Sequence, residues 1–128
     1  MSVSKLTHVY VGNLAEADAC TFLQGQGLRL LERNFKIKTG EIDLVMQDGD
    51  YVVFVEVKMR THEKYGSAIE VISSVKQSRI IRAATFYLLK QHQYFKARCR
   101  FDVVGISPHK KIRRAQKITW IRDAFRVK

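Results

Sequence analysis

The sequence predicts an α/β fold in which a helix is followed by three strands, a second helix and two more strands. Three observations indicate this order: two segments with helical spacing of apolar residues, one strictly alternating segment, and one nearly unbroken apolar run. The length of 128 residues and the apolar fraction of 46% are typical of a globular protein with a real core. We therefore expect residues 1–128 to form one domain.

The first helix is predicted from Leu14 to Gln26. Asn13 precedes it as a plausible N-cap, and Gly27 follows it as a plausible stop. The apolar side of this helix includes a carboxylate, Glu16, which lies seven residues before Leu23 and therefore on the same face. A carboxylate in this position is unusual and marks Glu16 as a candidate functional residue.

Three strands follow, joined in part by the hairpin signal Asp48-Gly49-Asp50. The third strand reads YVVFVEVKM, and such an apolar run indicates burial on both faces. Alternation in the second strand predicts one face with Ile42, Leu44 and Met46, and another with Glu41, Asp43 and Val45. The predicted bounds of the three strands are Leu28–Phe35, Glu41–Gln47 and Tyr51–Met59.

The second half of the chain contains a long helix and two strands, separated by loops. Residues 60–72 read as a loop, in which Tyr65-Gly66 forms either a lid or a plain turn. Residues 107–117 form a basic loop. The remaining predicted elements are a helix over Val75–His92 with Ser74 as N-cap, strands over Arg98–Ile106 and Ile118–Ile121, and a terminal turn at Asp123–Phe125.

Charge is distributed unevenly along the chain. Residues 1–60 carry 7 basic and 8 acidic side chains, whereas residues 61–128 carry 16 basic and 4 acidic ones, within a total of +11. This asymmetry favours a polyanionic partner, above all nucleic acid, over a plain solubility charge or a membrane-surface patch. No signal peptide and no stretch long enough to span a membrane are visible. Cys20 and Cys99 are interpreted as reduced, buried residues, which favours the cytoplasm.

The strongest local signal is Glu56-Val57-Lys58 inside the apolar third strand. Strand alternation places Glu56 and Lys58 on one face, about 7 Å apart. A lone charge in such a strand costs several kcal/mol, so each group needs a partner. A purely structural ion pair between the two residues is one interpretation.

Asp43 favours a functional interpretation instead. Asp43 precedes Gly49 by six residues and Glu56 follows it by seven, so the hairpin places the two carboxylates nearly opposite each other. Two like charges at ~5 Å repel by about 3 kcal/mol at an effective dielectric of ~20. One lysine offsets one carboxylate but not two, whereas Mg²⁺ or Mn²⁺ would suit both carboxylates together with a backbone carbonyl and waters. Lys58 would then assist an attacking water or bind the phosphate.

An aspartate on one strand and Glu-x-Lys on the next resemble the signature of the PD-(D/E)XK superfamily of metal-dependent nucleases. More narrowly, the chain resembles the YraN-like family of bacterial proteins, which is related in fold to archaeal Holliday-junction resolvases. The resemblance extends from about Gly12 to Phe125. It rests on the stretches ERNFKIKTGEIDLV, DGDYVVFVEVKMR, YGSA, VKQSRIIRAATFYL, RFDVV and the final AF.

The resemblance implies a restriction-endonuclease-like core, with a central mixed sheet flanked by helices. It also implies a catalytic site of Asp43, Glu56 and Lys58, with metal at the two carboxylates and Glu16 in support. Arg60 matches the arginine that follows the lysine in the family. Where the family often has serines in the next loop, this chain has His62 and Glu63. Resolvase-like relatives often act as dimers, so a homodimer is expected by analogy.

Other residues have two open interpretations. Lys76, Gln77 and Arg79 begin the long helix, where they would contact nucleic-acid phosphate or simply be solvated. Glu41 either joins the site or pairs with a basic neighbour. The strand pair Arg100 and Asp102 indicates a structural ion pair, and Trp120 indicates core or interface rather than a base-stacking platform.

The function predicted from these residues is metal-dependent hydrolysis of phosphodiester bonds in DNA or RNA, including structured or branched nucleic acid. A non-catalytic nucleic-acid-binding module with the same fold is the alternative. A third possibility, a protein-interaction subunit with a vestigial site, is disfavoured because a buried charged cluster is costly to keep without a use.

Overall fold

The computed structural model describes residues 3–59, 72–92, 96–107 and 117–127, with side chains from residue 12 onward. Within these ranges two helices and five strands follow one another in the predicted order. They are α1 (Val3–Gly25), β1 (Arg29–Ile37), β2 (Gly40–Asp48), β3 (Tyr51–Met59), α2 (Ser74–Lys90), β4 (Arg98–Ser107) and β5 (Lys117–Phe125).

The five strands form one mixed sheet in the order β1-β2-β3-β4-β5. β3 and β4 are parallel, and every other neighbouring pair is antiparallel. Parallel neighbours need a crossover connection, and α2 lies between β3 and β4 in the chain. The predicted α/β fold is therefore confirmed.

The sheet has a hydrophobic core on each face. Alternate residues of β3 divide between them: Val53 and Val55 pack with α1, whereas Val52 and Phe54 pack with α2. The apolar run of β3 is thus buried on both faces, as the sequence predicted. The helix residues in these cores are Ala15, Ala19, Cys20 and Leu23 of α1, and Ile80, Ala83, Ala84, Tyr87 and Leu88 of α2.

The β1–β2 and β2–β3 hairpins differ in what fixes them. The β2–β3 turn has Gly49 at φ 57°, a left-handed conformation that glycine adopts without a steric penalty. At the start of β2, the backbone of Gly40 lies against α2. A Cβ added to Gly40 would approach the carbonyl oxygen of Arg79 to 2.1 Å, so only glycine allows this contact.

The predicted start of the first helix is wrong. The helix begins at Val3 rather than at Leu14, and Asn13 lies inside it instead of capping it. Asparagine is only a moderately poor helix former, and helix propagation is cooperative, so a favourable cap residue does not force a helix to start there. The predicted stop is correct, because Gly27 follows the helix with φ 98°.

Smaller corrections concern β1, α2 and the chain end. β1 extends to Ile37, and α2 ends at Lys90 and has Ser73 rather than Ser74 as its N-cap. The predicted terminal turn is instead part of β5, because Phe125 stacks on buried Phe101 and keeps the chain on the sheet.

Cys20 is buried as predicted, but Cys99 is exposed, because it lies near the start of β4 and before the strand's buried stretch. Arg60, the loop with Tyr65-Gly66 and most of the basic loop fall in 60–71 and 108–116, outside the described residues. Among the helices of the described chain, none is both long and apolar enough to cross a membrane.

Candidate functional site

Asp43 lies where the β2–β3 ladder ends. The last paired residues are Leu44 and Val55, so the same register continued by one residue places Asp43 opposite Glu56. There the Val57 N–H donates to Asp43 Oδ2 at 2.8 Å instead of to a backbone carbonyl. The strands therefore separate at Asp43, and its carboxylate is held beside the open end of the hairpin.

The alternation of β2 reverses at Asp43, which corrects the predicted faces. Ile42 packs in the α2 core, whereas Leu44 packs in the α1 core. The neighbouring strand has a matching irregularity, because Asn34 adopts φ 53° between residues paired with Leu44 and Ile42. Asparagine is one of the few residues that tolerate this conformation. The distortion allows Asp43 to reach both its β3 neighbour and α1.

Glu16 of α1 completes a row of three carboxyl groups. Its side chain is within hydrogen-bonding reach of Asp43, and Asp43 is in turn within reach of Glu56. With its amide nitrogen facing α1, Asn34 donates to both oxygens of Glu16, at 3.3 and 3.0 Å. The unusual carboxylate on the apolar side of the first helix therefore does meet the strand carboxylates.

Glu56, on β3, forms an ion pair with a lysine of α2. Its side chain is only 7% exposed, and its Oε1 lies 2.6 Å from Nζ of Lys76, at the start of α2. Lys76 itself is 55% exposed, so its ammonium bridges the buried carboxylate and the surface. Glu56 therefore forms an ion pair with Lys76, which connects the sheet to α2.

Burial and neighbouring negative charge raise the pKa of all three carboxyl groups. Burial, followed by the charge of Asp43, raises the pKa of Glu16 and that of Glu56 to about 7. Burial also raises the pKa of Asp43, although the Val57 N–H opposes this change, and exposed Glu41 raises it further. Burial alone would lower the pKa of Lys76, but the hydrogen bond and charge of Glu56 raise it. The site therefore groups three carboxyl groups whose charged forms are disfavoured by burial and by neighbouring negative charge.

Replacing Glu16 by glutamine should stabilise the protein at high pH more than at low pH. Because folding raises the pKa of Glu16 from 4.5 to about 7, its contribution to stability is full below 4.5 and is lost as the pH rises through about 7. Glutamine keeps the neutral form at every pH. We expect the melting midpoint of Glu16→Gln in chelator, relative to wild type, to rise between about pH 5 and about pH 8. Exposed Asp50→Asn serves as control, and a pH-independent difference for Glu16→Gln would contradict the expectation.

The remaining residues that were predicted for the site lie on β3, on α2 or outside the described part of the chain. Lys58 is half-buried and follows Glu56 by two residues on β3, so both side chains leave the same face. Arg79 is exposed on α2. The Gln77 side chain donates to the carbonyl of Ile72 at 2.7 Å, which anchors the start of α2. Arg60 lies outside the described residues.

Two features of the site were not found by sequence reasoning. Asn34 was missed, although an asparagine inside a predicted strand is itself a signal, because asparagine is depleted in strands. Lys76 was considered only as a phosphate contact or as a solvated residue at the start of the helix. Its pairing with Glu56 has no sequence signal, since the two residues are twenty positions apart and meet only when α2 packs on the sheet.

The donor set of the site fits a hard divalent cation. Within the described part of the chain, no three His, Cys, Asp or Glu side chains are arranged to enclose a metal ion. Mg²⁺ does not need such a cage, because it commonly binds one or two carboxylates and keeps several waters. Asp43 and Glu56 supply two neighbouring carboxylates, and burial, together with nearby negative charge, raises the pKa of both. A bound cation would favour their charged forms.

Comparison with known proteins places the chain in a family. Residues 15–106 match the model of the Uncharacterised protein family UPF0102. A UPF0102 protein of Nitrosococcus oceani is 47% identical over 121 residues, covering 94% of this chain and 95% of the relative. One of Alkalilimnicola ehrlichii is 46% identical, over 92% and 88% of the two chains. One of Pseudomonas putida is 47% identical, over 89% and 91%. The chain therefore belongs to the UPF0102 family, which the resemblance to YraN-like proteins had indicated.

Proposed function

We propose that the chain is a metal-dependent nuclease that hydrolyses phosphodiester bonds in DNA or RNA, including structured or branched forms. The observation that carries the proposal is the row of Glu16, Asp43 and Glu56 at the open end of the β2–β3 hairpin, next to Lys76 of α2. Carboxylates grouped in this way attract a divalent cation, and cations beside them attract phosphate. A cytoplasmic location, which the sequence favours, and a homodimer, which the resemblance implies, belong to the same proposal.

Asp43 and Glu56 are the residues that would hold Mg²⁺ or Mn²⁺. The bound ion would supply an activated water at neutral pH and neutralise charge on the phosphate. Glu16 would accept hydrogen bonds from water beside Asp43. Asn34 keeps Glu16 in place, because its amide donates to both carboxylate oxygens.

The lysines of the site would act on the phosphate and on the attacking water. Lys58 leaves β3 on the same face as Glu56, where it would orient the water or bind a phosphate oxygen. The Lys76 side chain is exposed, and its ammonium is paired with Glu56. This ammonium can therefore leave Glu56 and bind a phosphate that enters from solvent. Arg79 lies three residues further along α2 and would contact the next part of the nucleic-acid backbone.

Cleavage of a substrate panel tests the proposal. We expect the wild-type chain to cut at least one of branched, duplex or single-stranded DNA or RNA in Mg²⁺ or Mn²⁺, and none in chelator. Asp43→Asn and Glu56→Gln should each lower the rate by about a hundredfold or more. Asp50→Asn, an exposed carboxylate at the far end of the same hairpin, should keep the wild-type rate. Equal losses in all three variants would contradict the assignment of the site.

A non-catalytic nucleic-acid-binding module is the second candidate, and the Glu56–Lys76 ion pair favours it. In that pair the buried carboxylate already has a cation from the protein itself, at 2.6 Å. Binding without cleavage of any substrate, in either metal, would support this function over the first.

A further inference from the structure

A groove of about 790 Å³ lies between the β1–β2 turn and the first half of α2. Cations line both of its sides: Lys36 and Lys38 on the hairpin, and Lys76, Arg79 and Arg82 on the helix. Among the described residues of the lining, Glu41 is the one carboxylate. The fold thus gathers basic residues from the charge-balanced first half of the sequence and from its basic second half.

The shape of the groove is fixed by backbone contact. Gly40 at the hairpin lies so close to the carbonyl of Arg79 that a Cβ would come within 2.1 Å of it. The start of α2 is anchored by its N-cap, since Ser73 Oγ accepts from the Lys76 N–H at 3.2 Å. Hairpin and helix are therefore held together, and the two rows of cations keep their separation without a ligand.

Two residues connect the groove to the carboxylate site. Lys76 lines the groove and forms the ion pair with Glu56. Glu41 also lines the groove, and its charge raises the pKa of Asp43. A strand lying in the groove would accordingly reach the carboxylates at the Lys76 end.

The lining chemistry identifies the class of ligand. Besides the charged residues, the groove presents aliphatic and small side chains, and no aromatic ring is among its lining residues in the part of the chain that the structure describes. Sequence-tolerant binding of bases relies on stacking against aromatic rings, whereas phosphates are bound by lysine and arginine. The volume is that of a site for a small ligand, far below what a whole duplex would fill.

We propose that this groove, the backbone groove, holds the sugar–phosphate backbone of one nucleic-acid strand and directs it to the carboxylates, independently of base sequence. That the strand is directed toward the carboxylates rests on the proposed function, whereas binding of the strand in the groove can be measured without cleavage. Lys36, Lys38 and Arg82 are its distinguishing residues, because they line the groove without contacting the carboxylate row. On α2, Lys76, Arg79 and Arg82 form a row about 9 Å long, since six residues of helix rise 1.5 Å each.

Salt-dependent binding of labelled duplex and single-stranded oligonucleotides in chelator tests the inference, because no cleavage interferes. In Lys38→Ala/Arg82→Ala, the plot of log affinity against log salt concentration should become less steep by about 1.8 for duplex, or about 1.4 for a single strand. Lys96→Ala/Arg98→Ala is the matched control, since it removes two exposed cations near the opposite end of β3 and should leave the slope unchanged. A melting curve of each variant verifies folding.

The outcomes separate the inference from the proposed function. A reduced slope in the groove variant alone supports the backbone groove, even if the wild type cuts nothing. An unchanged slope in a protein that does cut, or equal losses in groove and control variants, overturns the groove and leaves the nuclease proposal standing. No binding by the wild type also overturns it. So does a polyglutamate that competes as well as nucleic acid of equal charge, because the groove would then be a general anion surface.

Discussion

Replacing Asp102 by alanine should destabilise the protein by about 3–5 kcal/mol, the usual cost of removing one member of a buried charge network. The Asp102 carboxylate is fully buried and accepts hydrogen bonds from three groups. Arg100 Nε donates to both oxygens at 3.0 and 3.2 Å, Trp120 Nε1 donates at 2.9 Å, and the Asp123 N–H donates at 2.9 Å. Alanine would leave these donors without their acceptor, and an unsatisfied buried donor costs its full desolvation free energy.

The network also explains the shape of the sheet edge. The register between β4 and β5 shifts between Phe101 and Val103, on either side of Asp102. Opposite this shift, Asp123 adopts φ 53° and directs its N–H to the buried carboxylate. Loss of Asp102 should therefore loosen β5 as well as lower the free energy of unfolding.

Chemical denaturation of Asp102→Ala and of Asp123→Asn measures how far each substitution lowers the free energy of unfolding. Asp123→Asn is the matched control, because it removes an exposed carboxylate paired with Arg126 while asparagine tolerates the positive φ. We expect little change in the control, since solvent screens exposed ion pairs. A loss in Asp102→Ala no larger than in the control would mean that the buried network does not stabilise the fold.

Divalent metal should stabilise the wild-type protein but not Asp43→Ala/Glu56→Ala. Metal that binds only the folded state adds about 2.7 kcal/mol to the free energy of unfolding at 100 times its dissociation constant. Both proposed ligands are absent from the double variant, so its melting midpoint should be the same in chelator and in Mg²⁺ or Mn²⁺. The shift is expected to grow when nucleic acid is present, because Mg²⁺ sites are often completed by a substrate phosphate.

In chelator the double variant should be at least as stable as wild type. Removing both carboxylates removes their repulsion, and Lys76, which is 55% exposed, can extend its ammonium into water when Glu56 is lost. Higher stability of the inactive protein would mark a site that is kept at a cost in folding free energy. Equal metal-induced shifts in the two proteins would mean that metal binds elsewhere. No shift in either protein, even with nucleic acid, would favour the non-catalytic module.

Lys76 gives this experiment a second variant. Its ammonium lies 2.6 Å from Glu56 Oε1, so a divalent cation that binds Glu56 would compete with Lys76 for this carboxylate. Lys76→Gln should therefore increase the metal-induced shift in the absence of nucleic acid. The measurement is the same pair of melting curves, in chelator and in Mg²⁺.

Much of the fold was predictable because its signals are local. β3 has the predicted bounds, Tyr51–Met59, since an apolar run between charged turns is read from neighbouring residues. The hairpin at Gly49 was predicted from three residues, and it sets the register that brings Asp43 opposite Glu56. The end of α1 followed from Gly27 for the same reason.

Long-range contacts account for the errors. β5 continues to Phe125 because buried Asp102 and Phe101, on another strand, hold its last residues. The predicted faces of β2 were wrong because alternation assumes a regular strand, whereas Asn34 on β1 distorts both strands at Asp43. Neither effect is visible within the segment that it changes.

The sequence by itself determined the order of the elements, the hairpin that pairs Asp43 with Glu56, and the common face of Glu56 and Lys58, because turn chemistry and strand alternation act over a few residues. The tertiary structure alone decided that Glu16 meets Asp43, that the cation on Glu56 is Lys76, and that basic residues from two distant segments line one groove. These contacts depend on how α1 and α2 pack across the two faces of the sheet, which local sequence patterns do not encode.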